Sequence, residues 1–162
     1  MKSLIIGLGN PIMGDDAIGC VCAQAIKEVL DPMDLDGVEV DQFYRGGISL
    51  MERLIGYDRA LIIDAINDSG KSTGSVTHLS LDDIPSFNSN SPHDGSFKIA
   101  IDFGRKMGEH LPLQIDLLAI EIEPKFEFSE KLSAEVNCCI EEVICWSRDW
   151  IRKENAFAAK NS

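Results

Sequence analysis

Apolar and polar positions along the chain follow two different periods, and this pattern predicts five strands and four helices. Short apolar runs bounded by glycine or polar residues are typical of buried strands. They occur at residues 4–6, 37–43, 60–63, 74–81 and 114–122. Since the run at 60–63 is continuously apolar, it predicts a strand covered by helices on both faces, as parallel strands usually are.

Apolar residues that recur every three or four positions predict the helices between these strands. The predicted helices cover residues 16–30, 49–55 and 97–107, and a long final helix follows Ser133. Ser133 is a good cap for that helix, because a serine hydroxyl accepts a hydrogen bond from a free backbone amide of the first turn. The predicted buried positions are Ile18, Val21, Ala25 and Val29 in the first helix, and Val136, Ile140, Val143 and Ile144 in the last.

Strands that alternate with helices predict an α/β fold, in which helices cover both faces of one sheet. We therefore expect a three-layer α/β/α sandwich around a twisted, mostly parallel five-stranded sheet. The chain has 162 residues, which suits one domain spanning 1–162. We expect the C-terminal tail, from about residue 155 to 162, to be frayed.

Charge and hydropathy narrow the range of partners. The formal net charge is −12, which disfavours nucleic acid and anionic membrane surfaces and favours a cation or a basic peptide. The chain has no apolar stretch of about 18 residues, and its first apolar run is too short for a signal peptide. These features predict a cytoplasmic protein, which we expect to be monomeric.

The five cysteines are odd in number and form no Cys-x-x-Cys pair. Neither a disulfide framework nor a structural zinc site is therefore predicted. We expect buried, reduced thiols on the faces of helices.

The segment from Gly7 to Gly19 carries the strongest functional signal. A glycine turn ends the first strand, and two carboxylates, Asp15 and Asp16, open the following helix. A helix N-terminus that binds phosphate is normally free of negative charge, and a dinucleotide site wants a third small residue where this chain has Ile12. A nucleotide-binding domain using this turn, with Asp41 near the second strand end as a ribose ligand, is the weaker alternative, and we predict no bound cofactor of that kind.

Three residues are predicted to meet beyond the carboxyl ends of the strands, where α/β proteins bind ligands. Asp16 follows the first strand, Asp64 ends the third, and His93 lies in the loop that leaves the fourth. Two carboxylates and an imidazole suit a borderline divalent ion such as nickel or zinc. Without metal, the two aspartates could share a proton as general acid and base. Structural roles compete with this reading: a helix-dipole partner for Asp16, a loop cap for Asp64 and an exposed loop histidine for His93.

Several motifs, taken in order, resemble the hydrogenase maturation endopeptidases, the proteases that complete nickel-iron hydrogenases. The motifs are Gly7-x-Gly9-Asn10-x-x-x-x-Asp15-Asp16-x-x-Gly19, Ile63-Asp64-Ala65, Ser91-x-His93, Glu121-Ile122-Glu123-Pro124 and Leu132-Ser133-x-Glu135-Val136. Two positions depart from the family pattern: Arg45 stands where many members have an acidic residue before Gly46-Gly47, and Ala17 stands where a glycine is frequent.

The resemblance implies an endopeptidase that removes a C-terminal extension from the large-subunit precursor of a nickel-iron hydrogenase after nickel insertion. It implies that Asp16, Asp64 and His93 are the metal-binding and catalytic residues, and that the precursor supplies the nickel, although other divalent metals could occupy the site. Asn10, Arg45, Gly46 and Gly47 are expected to contact the substrate. A nickel-binding accessory protein without proteolytic activity would use the same residues and stays an alternative.

Overall fold

The sheet of this protein has five strands, four of them parallel. The computed structural model describes residues 1–67, 69–83, 94–125 and 127–160. The strand order is β2-β1-β3-β5-β4, and only β4 runs antiparallel to its neighbour. The strands are β1 (Ser3–Leu8), β2 (Val38–Phe43), β3 (Arg59–Ile66), β4 (Val76–Ser80) and β5 (Gln114–Glu121).

Helices cover both faces of this sheet, which confirms the predicted α/β sandwich. They are α1 (Ile18–Val29), α2 (Gly47–Arg53), α3 (Asp94–Lys106), α4 (Ala134–Asn137) and α5 (Ile140–Lys160), with short 3-10 turns at Gly14–Ala17 and Leu81–Asp83. In the described ranges, no helix has both the length and the apolar character that a membrane crossing requires.

Two hydrophobic cores form because alternate residues of each strand point to opposite faces of the sheet. In β1, Leu4 and Ile6 pack with α2 and α3, whereas Ile5 packs with α1 and α5. All three side chains are fully buried. Since β1 lies inside the sheet, its continuous apolar sequence is what a strand covered on both faces requires.

The buried face of α1 differs from the predicted one. The structure buries Ile18, Cys22 and Ile26, whereas Val29 is 58% exposed. Two apolar stripes overlap on this helix, and the predicted one shares Ile18 with the buried face but does not include Cys22 and Ile26. The helix also begins at Ile18, after a 3-10 turn, and not at residue 16.

The predicted final helix is divided into α4 and α5. Ser133 caps α4, as predicted, by accepting a hydrogen bond from the Val136 amide. At the junction the Cys139 amide donates to the Val136 carbonyl, three residues back, so the chain tightens into a turn before α5 starts. The packing of α4 and α5 still buries Val136, Val143 and Ile144, three of the four predicted positions.

The cysteines follow the prediction only in part. All five are unpaired thiols, and Cys20, Cys22 and Cys139 are buried. Cys138 and Cys145 are exposed, because they lie on the outer sides of the α4–α5 junction and of α5.

A buried carboxylate joins β4, β5 and α5 at the amino end of the parallel strands. Asp116 accepts hydrogen bonds from His78 Nε2 at 2.7 Å and from the indole of Trp150 at 2.8 Å. Gln114 donates a third at 2.6 Å. Burial by itself raises the pKa of Asp116, but the hydrogen bonds from His78, Trp150 and Gln114 outweigh it and hold the pKa below its ordinary value of 3.8.

We predict that Asp116→Asn lowers the free energy of unfolding by about 2 kcal/mol at neutral pH, because charge-assisted hydrogen bonds are lost. A carboxyl group whose pKa is lower in the folded state stabilises the fold above its unfolded pKa and loses this effect as the pH falls through its folded pKa. The difference between wild type and variant should therefore shrink below pH 3.8. Urea denaturation at a series of pH values measures it. The exposed Asp36→Asn is the control, and a difference that does not depend on pH would contradict the prediction.

Candidate active site

The loop that follows β1 and the end of β3 lie side by side at the carboxyl edge of the sheet. Gly7 of β1 is in register with Ile63 of β3, so Leu8 stands level with Asp64. On the other side of β1, the Gly9 amide donates to the Phe43 carbonyl at the end of β2. The polar residues that follow these strands consequently share one edge, as the sequence predicted.

Two glycines allow α1 to start directly over these strand ends. A Cβ atom on Gly7 would lie 2.0 Å from the Gly19 carbonyl oxygen, and a Cβ on Gly19 would lie 2.1 Å from the Leu8 carbonyl oxygen. These distances are far shorter than any van der Waals contact. Only glycine at both positions lets the helix approach the strands so closely, and this approach sets the position of the preceding acidic turn.

Asp16 lies in the 3-10 turn Gly14–Ala17 and is half-buried. Its Oδ2 atom accepts a hydrogen bond of 2.9 Å from the Asn10 amide, which ties the turn back to the start of the loop. A Cβ atom on Gly9 would lie 2.1 Å from the Asp16 carbonyl oxygen, so the loop folds tightly beneath this residue. Asp16 therefore presents a carboxylate at the sheet edge in a fixed orientation.

Asp64 lies within β3, two residues before its end, and is 4% exposed. Its Oδ1 atom accepts a hydrogen bond of 2.9 Å from the Ala65 amide. The neighbouring Ile63 and Ala65 pack with α1 and α5, so Asp64 faces the opposite layer, which α2 and α3 form. A nearly buried carboxylate at a strand end is a typical feature of a catalytic or metal-binding site.

The thiol of Cys20 lies beneath the loop that carries Asn10. Its Sγ atom lies 3.5 Å from the Gly7 carbonyl oxygen and 3.6 Å from that of Gly9, under the loop. Burial raises the pKa of the Cys20 thiol to about 11, and the negative charges of Asp16, Asp64 and Asp41 add to this effect. The thiol is consequently neutral at physiological pH, which excludes a thiolate nucleophile here.

Asp15 has a different function from its neighbour. Its Oδ1 atom accepts a hydrogen bond of 2.6 Å from the Ser133 amide at the start of α4. Gly14 donates to the Ser129 carbonyl, and the Ser129 amide donates to Ile12. The acidic turn is thus tied to the segment that precedes α4, and Asp15 is a structural residue of the pair.

The second glycine loop lies at the same edge, between β2 and α2. Gly46 is the N-cap of α2, and Gly47 has a φ of 56°, which favours glycine. Arg45 is exposed, and its guanidinium lies 5.5 Å from the ring of Tyr44. This places Arg45, Gly46 and Gly47, together with Asn10, around the edge that holds Asp16; their contact with substrate stays a prediction.

His93 lies outside the described residues, so its convergence with Asp16 and Asp64 stays a prediction. The sequence analysis placed His93 at the carboxyl edge because it lies in the loop that leaves the fourth strand, and this argument is wrong. Since β4 runs antiparallel to β5, the chain leaves β4 at the amino edge of the sheet. Among the residues that the structure describes, no three His, Cys, Asp or Glu side chains form a group able to hold a metal ion.

Exposed apolar side chains surround the carboxyl edge, and the sequence patterns did not identify them. Single apolar residues in loops have no period, so only the structure shows that they are neighbours of the acidic turn. Ile48 is the second residue of α2. Phe128 directly precedes Ser129, which forms a β-bridge with Met13. The exposed side chains are Ile12 (48%), Tyr44 (68%), Ile48 (59%) and Phe128 (83%).

Comparison with known proteins identifies the family of this chain. Residues 45–146 match the model of the hydrogenase maturation protease family. The chain belongs to this family. It is 25% identical to the hydrogenase 2 maturation protease of Escherichia coli over 155 residues, which cover 92% of each chain.

Solved structures of family members have the same fold. The hydrogenase maturating endopeptidase HybD from E. coli superimposes with a TM-score of 0.78 and 26% identity, over 95% of this chain and 94% of that one. A [NiFe] hydrogenase maturation protease HybD from Thermococcus kodakarensis gives a TM-score of 0.65 at 22% identity, over 93% and 99% of the two chains. The carboxyl edge is therefore the candidate active site of a peptidase.

We predict that Gly19→Ala destabilises the protein by about 3 kcal/mol, because the added methyl group meets backbone oxygens that cannot move independently. Urea denaturation measures the loss. Gly56→Ala is the control: it has a φ of 87° and no atom within 4 Å of the new Cβ, so it should cost only about 1 kcal/mol of backbone strain. Equal losses in the two variants would show that close packing at Gly19 is not what holds the helix.

Proposed function

We propose that this peptidase removes the C-terminal extension of a nickel-iron hydrogenase large-subunit precursor, and that it acts only after nickel has been inserted. The observation that supports this most is the pair of carboxylates, Asp16 and Asp64, which follow or end two adjacent parallel strands at the carboxyl edge of the sheet. Family membership indicates the reaction class, which is peptide hydrolysis. The carboxylate and imidazole ligands would explain why a nickel-loaded precursor is preferred.

The two carboxylates fit a metal-recognition role. Asp16 is half-buried and Asp64 is nearly buried, so both have lost part of their hydration and would gain from a divalent cation. Two oxygen ligands together with one imidazole, that of His93, suit nickel better than magnesium or manganese. In this proposal the ion arrives as part of the substrate, and the protein completes its coordination.

The direction of α3 supports a place for His93 in this set. The end of α3 is at the amino edge, because Arg105 donates to the Pro112 carbonyl just before β5 begins. The first residue of α3, Asp94, therefore begins toward the carboxyl edge. It lies in the same helical layer, formed by α2 and α3, that Asp64 faces. We propose that His93, which directly precedes Asp94 in the sequence, acts with Asp64.

The chain can supply the acid–base chemistry of peptide hydrolysis from the same residues. A carboxylate at the edge can accept a proton from an attacking water, and a bound divalent ion can polarise the scissile carbonyl. Asp16 is the more accessible of the two carboxylates, and the Asn10 amide holds its orientation. We propose Asp16 as the residue that contacts substrate and Asp64 as the more deeply placed partner.

A peptide segment fits the surroundings of these carboxylates. The exposed side chains of Ile12, Tyr44, Ile48 and Phe128 offer apolar contacts along the edge. Arg45 adds a positive charge next to them, in a protein whose net charge is −12. Exposed apolar side chains near a polar site are typical of protein-binding surfaces. We propose that they hold the extension of the precursor and that Arg45 influences which precursor is accepted.

The nucleotide-binding alternative finds little support. The Asp16 carboxylate accepts the Asn10 amide at the point where a pyrophosphate would need free amide donors. Asp41, the candidate ribose ligand, is held by the guanidinium of Arg53 at 2.9 Å. A nickel carrier without proteolytic activity would keep the same ligands and is distinguished by the first experiment below.

The central prediction concerns the metal content of the precursor. Purified protein should shorten a nickel-loaded large-subunit precursor and leave the nickel-free precursor intact, because only the loaded form offers an ion to the carboxylates. Mass spectrometry of the precursor before and after incubation measures the loss of the extension. Cleavage of both forms would contradict nickel recognition, and cleavage of neither would favour the carrier.

We further predict that Asp16→Asn lowers processing of the loaded precursor by at least about a hundredfold, because a neutral amide is a poor metal ligand and a poor base. The fold should persist, since Asp16 is half-exposed and outside both cores. Asp36→Asn, at an exposed position before β2, is the matched control and should process normally. Wild-type rates in the Asp16 variant would remove this residue from the mechanism.

A further inference from the structure

A cavity that is separate from the candidate active site lies at the opposite edge of the sheet. Its volume is about 870 Å³, and it opens between the amino ends of the parallel strands and the outer half of α5. Arg59 opens β3 and Gln114 opens β5, whereas Asp16 and Asp64 lie at the carboxyl ends. A cavity of this size with convergent polar groups has the features of a small-molecule site.

Two tryptophans from one face of α5 form the aromatic wall of this cavity. Trp150 is buried, and the guanidinium of Arg59 stacks on its ring at 3.6 Å. Trp146, one helical turn earlier, is half-buried, and its ring centroid lies 4.8 Å from that of His78. The rings of Trp146 and His78 are tilted by 38° to each other, so Trp146 offers ring surface and His78 offers a ring edge to a planar ligand.

The hydrogen bonds of Asp116 determine what the cavity can recognise. Because Asp116 is ionised and can only accept, His78 must use Nε2–H as the donor in their 2.7 Å hydrogen bond. In the neutral imidazole, Nδ1 then becomes an acceptor, and the His78 side chain is 45% exposed beside the cavity. With neutral His78, the cavity thus presents one oriented acceptor next to aromatic surface.

The charges of the lining are largely balanced, which favours an uncharged ligand. Arg59 and Asp116 are both buried and offset each other. Asp58 accepts hydrogen bonds from the Lys2 amide and from His110. Asp149 and Lys153, both exposed at the mouth, carry opposite charges.

We propose that this cavity binds a small, uncharged, planar heteroaromatic molecule that bears a ring N–H. Its ring stacks on Trp146, and its N–H, which lies in the plane of the ligand ring, donates to the edge of the imidazole at His78 Nδ1. Asp116 is a positioning residue, which fixes the tautomer of His78 and the orientation of Trp150.

Titration with benzimidazole tests the proposal directly, because Trp146 and Trp150 are the two tryptophans of the chain and both line the cavity. Heteronuclear NMR spectra of isotope-labelled protein should show saturable shifts of both indole N–H signals. The methylated analogue 1-methylbenzimidazole, which lacks the N–H, should bind about tenfold more weakly, as expected for the loss of one hydrogen bond.

His78→Ala should weaken benzimidazole binding about tenfold, to the level of the methylated probe, because it removes the acceptor. His110→Ala is the matched control: it removes a second histidine at the same sheet edge, outside the cavity, and should bind as wild type. Amide spectra verify that each variant is folded. Indole signals that do not move, equal binding of the two probes, or unchanged affinity in a folded His78 variant would each overturn the proposal.

Discussion

The contact on which this structure depends is that of the first helix with the ends of two strands. At Gly7 and Gly19, the backbone of the helix contacts the backbone of the strands without an intervening side chain. A Cβ atom at either position would lie about 2 Å from a carbonyl oxygen. The contact has no tolerance for a methyl group. It brings the acidic turn to the edge of the sheet, and the position of Asp16 follows from it.

The acidic pair shows how one short turn divides structural and chemical roles. Asp15 uses its carboxylate to hold the Ser133 amide, which connects the turn to the segment before α4. Within the part of the chain that the structure describes, Asp16 accepts from the Asn10 amide of its own loop, and it stays half-exposed. Since both lie in the first turn of a helical segment, the sequence alone gives them the same favourable interaction with the helix dipole. Their hydrogen-bond partners distinguish them. The partner of Asp15 is the Ser133 amide, more than a hundred residues further along the chain.

Periodicity predicted the elements of the fold because burial on two faces leaves a strong signal in the sequence. The apolar runs identified all five strands, and glycine spacing with strand ends predicted that Asp16 and Asp64 lie at the same edge of the sheet. The direction of β4 left no such signal, because antiparallel and parallel edge strands of five residues read alike. The exposed rim of Ile12, Tyr44 and Phe128 was missed for a similar reason: loop residues converge through tertiary structure and have no repeat of their own.

The two edges of the sheet use carboxylates in opposite ways, and this difference separates a reactive group from a structural one. Asp116 has three donors around it, and these hydrogen bonds keep it ionised despite burial. The oxygens of such a carboxylate already accept hydrogen bonds, so it binds a cation or a proton weakly. Asp16 and Asp64 lie at the carboxyl edge, where their negative charges add to the effect of burial in raising the pKa of the Cys20 thiol. We propose that a divalent ion in the substrate would be attracted to the same charges. Recognition of a metal-loaded precursor would then need no separate sensor, because the ion itself would contact the carboxylates.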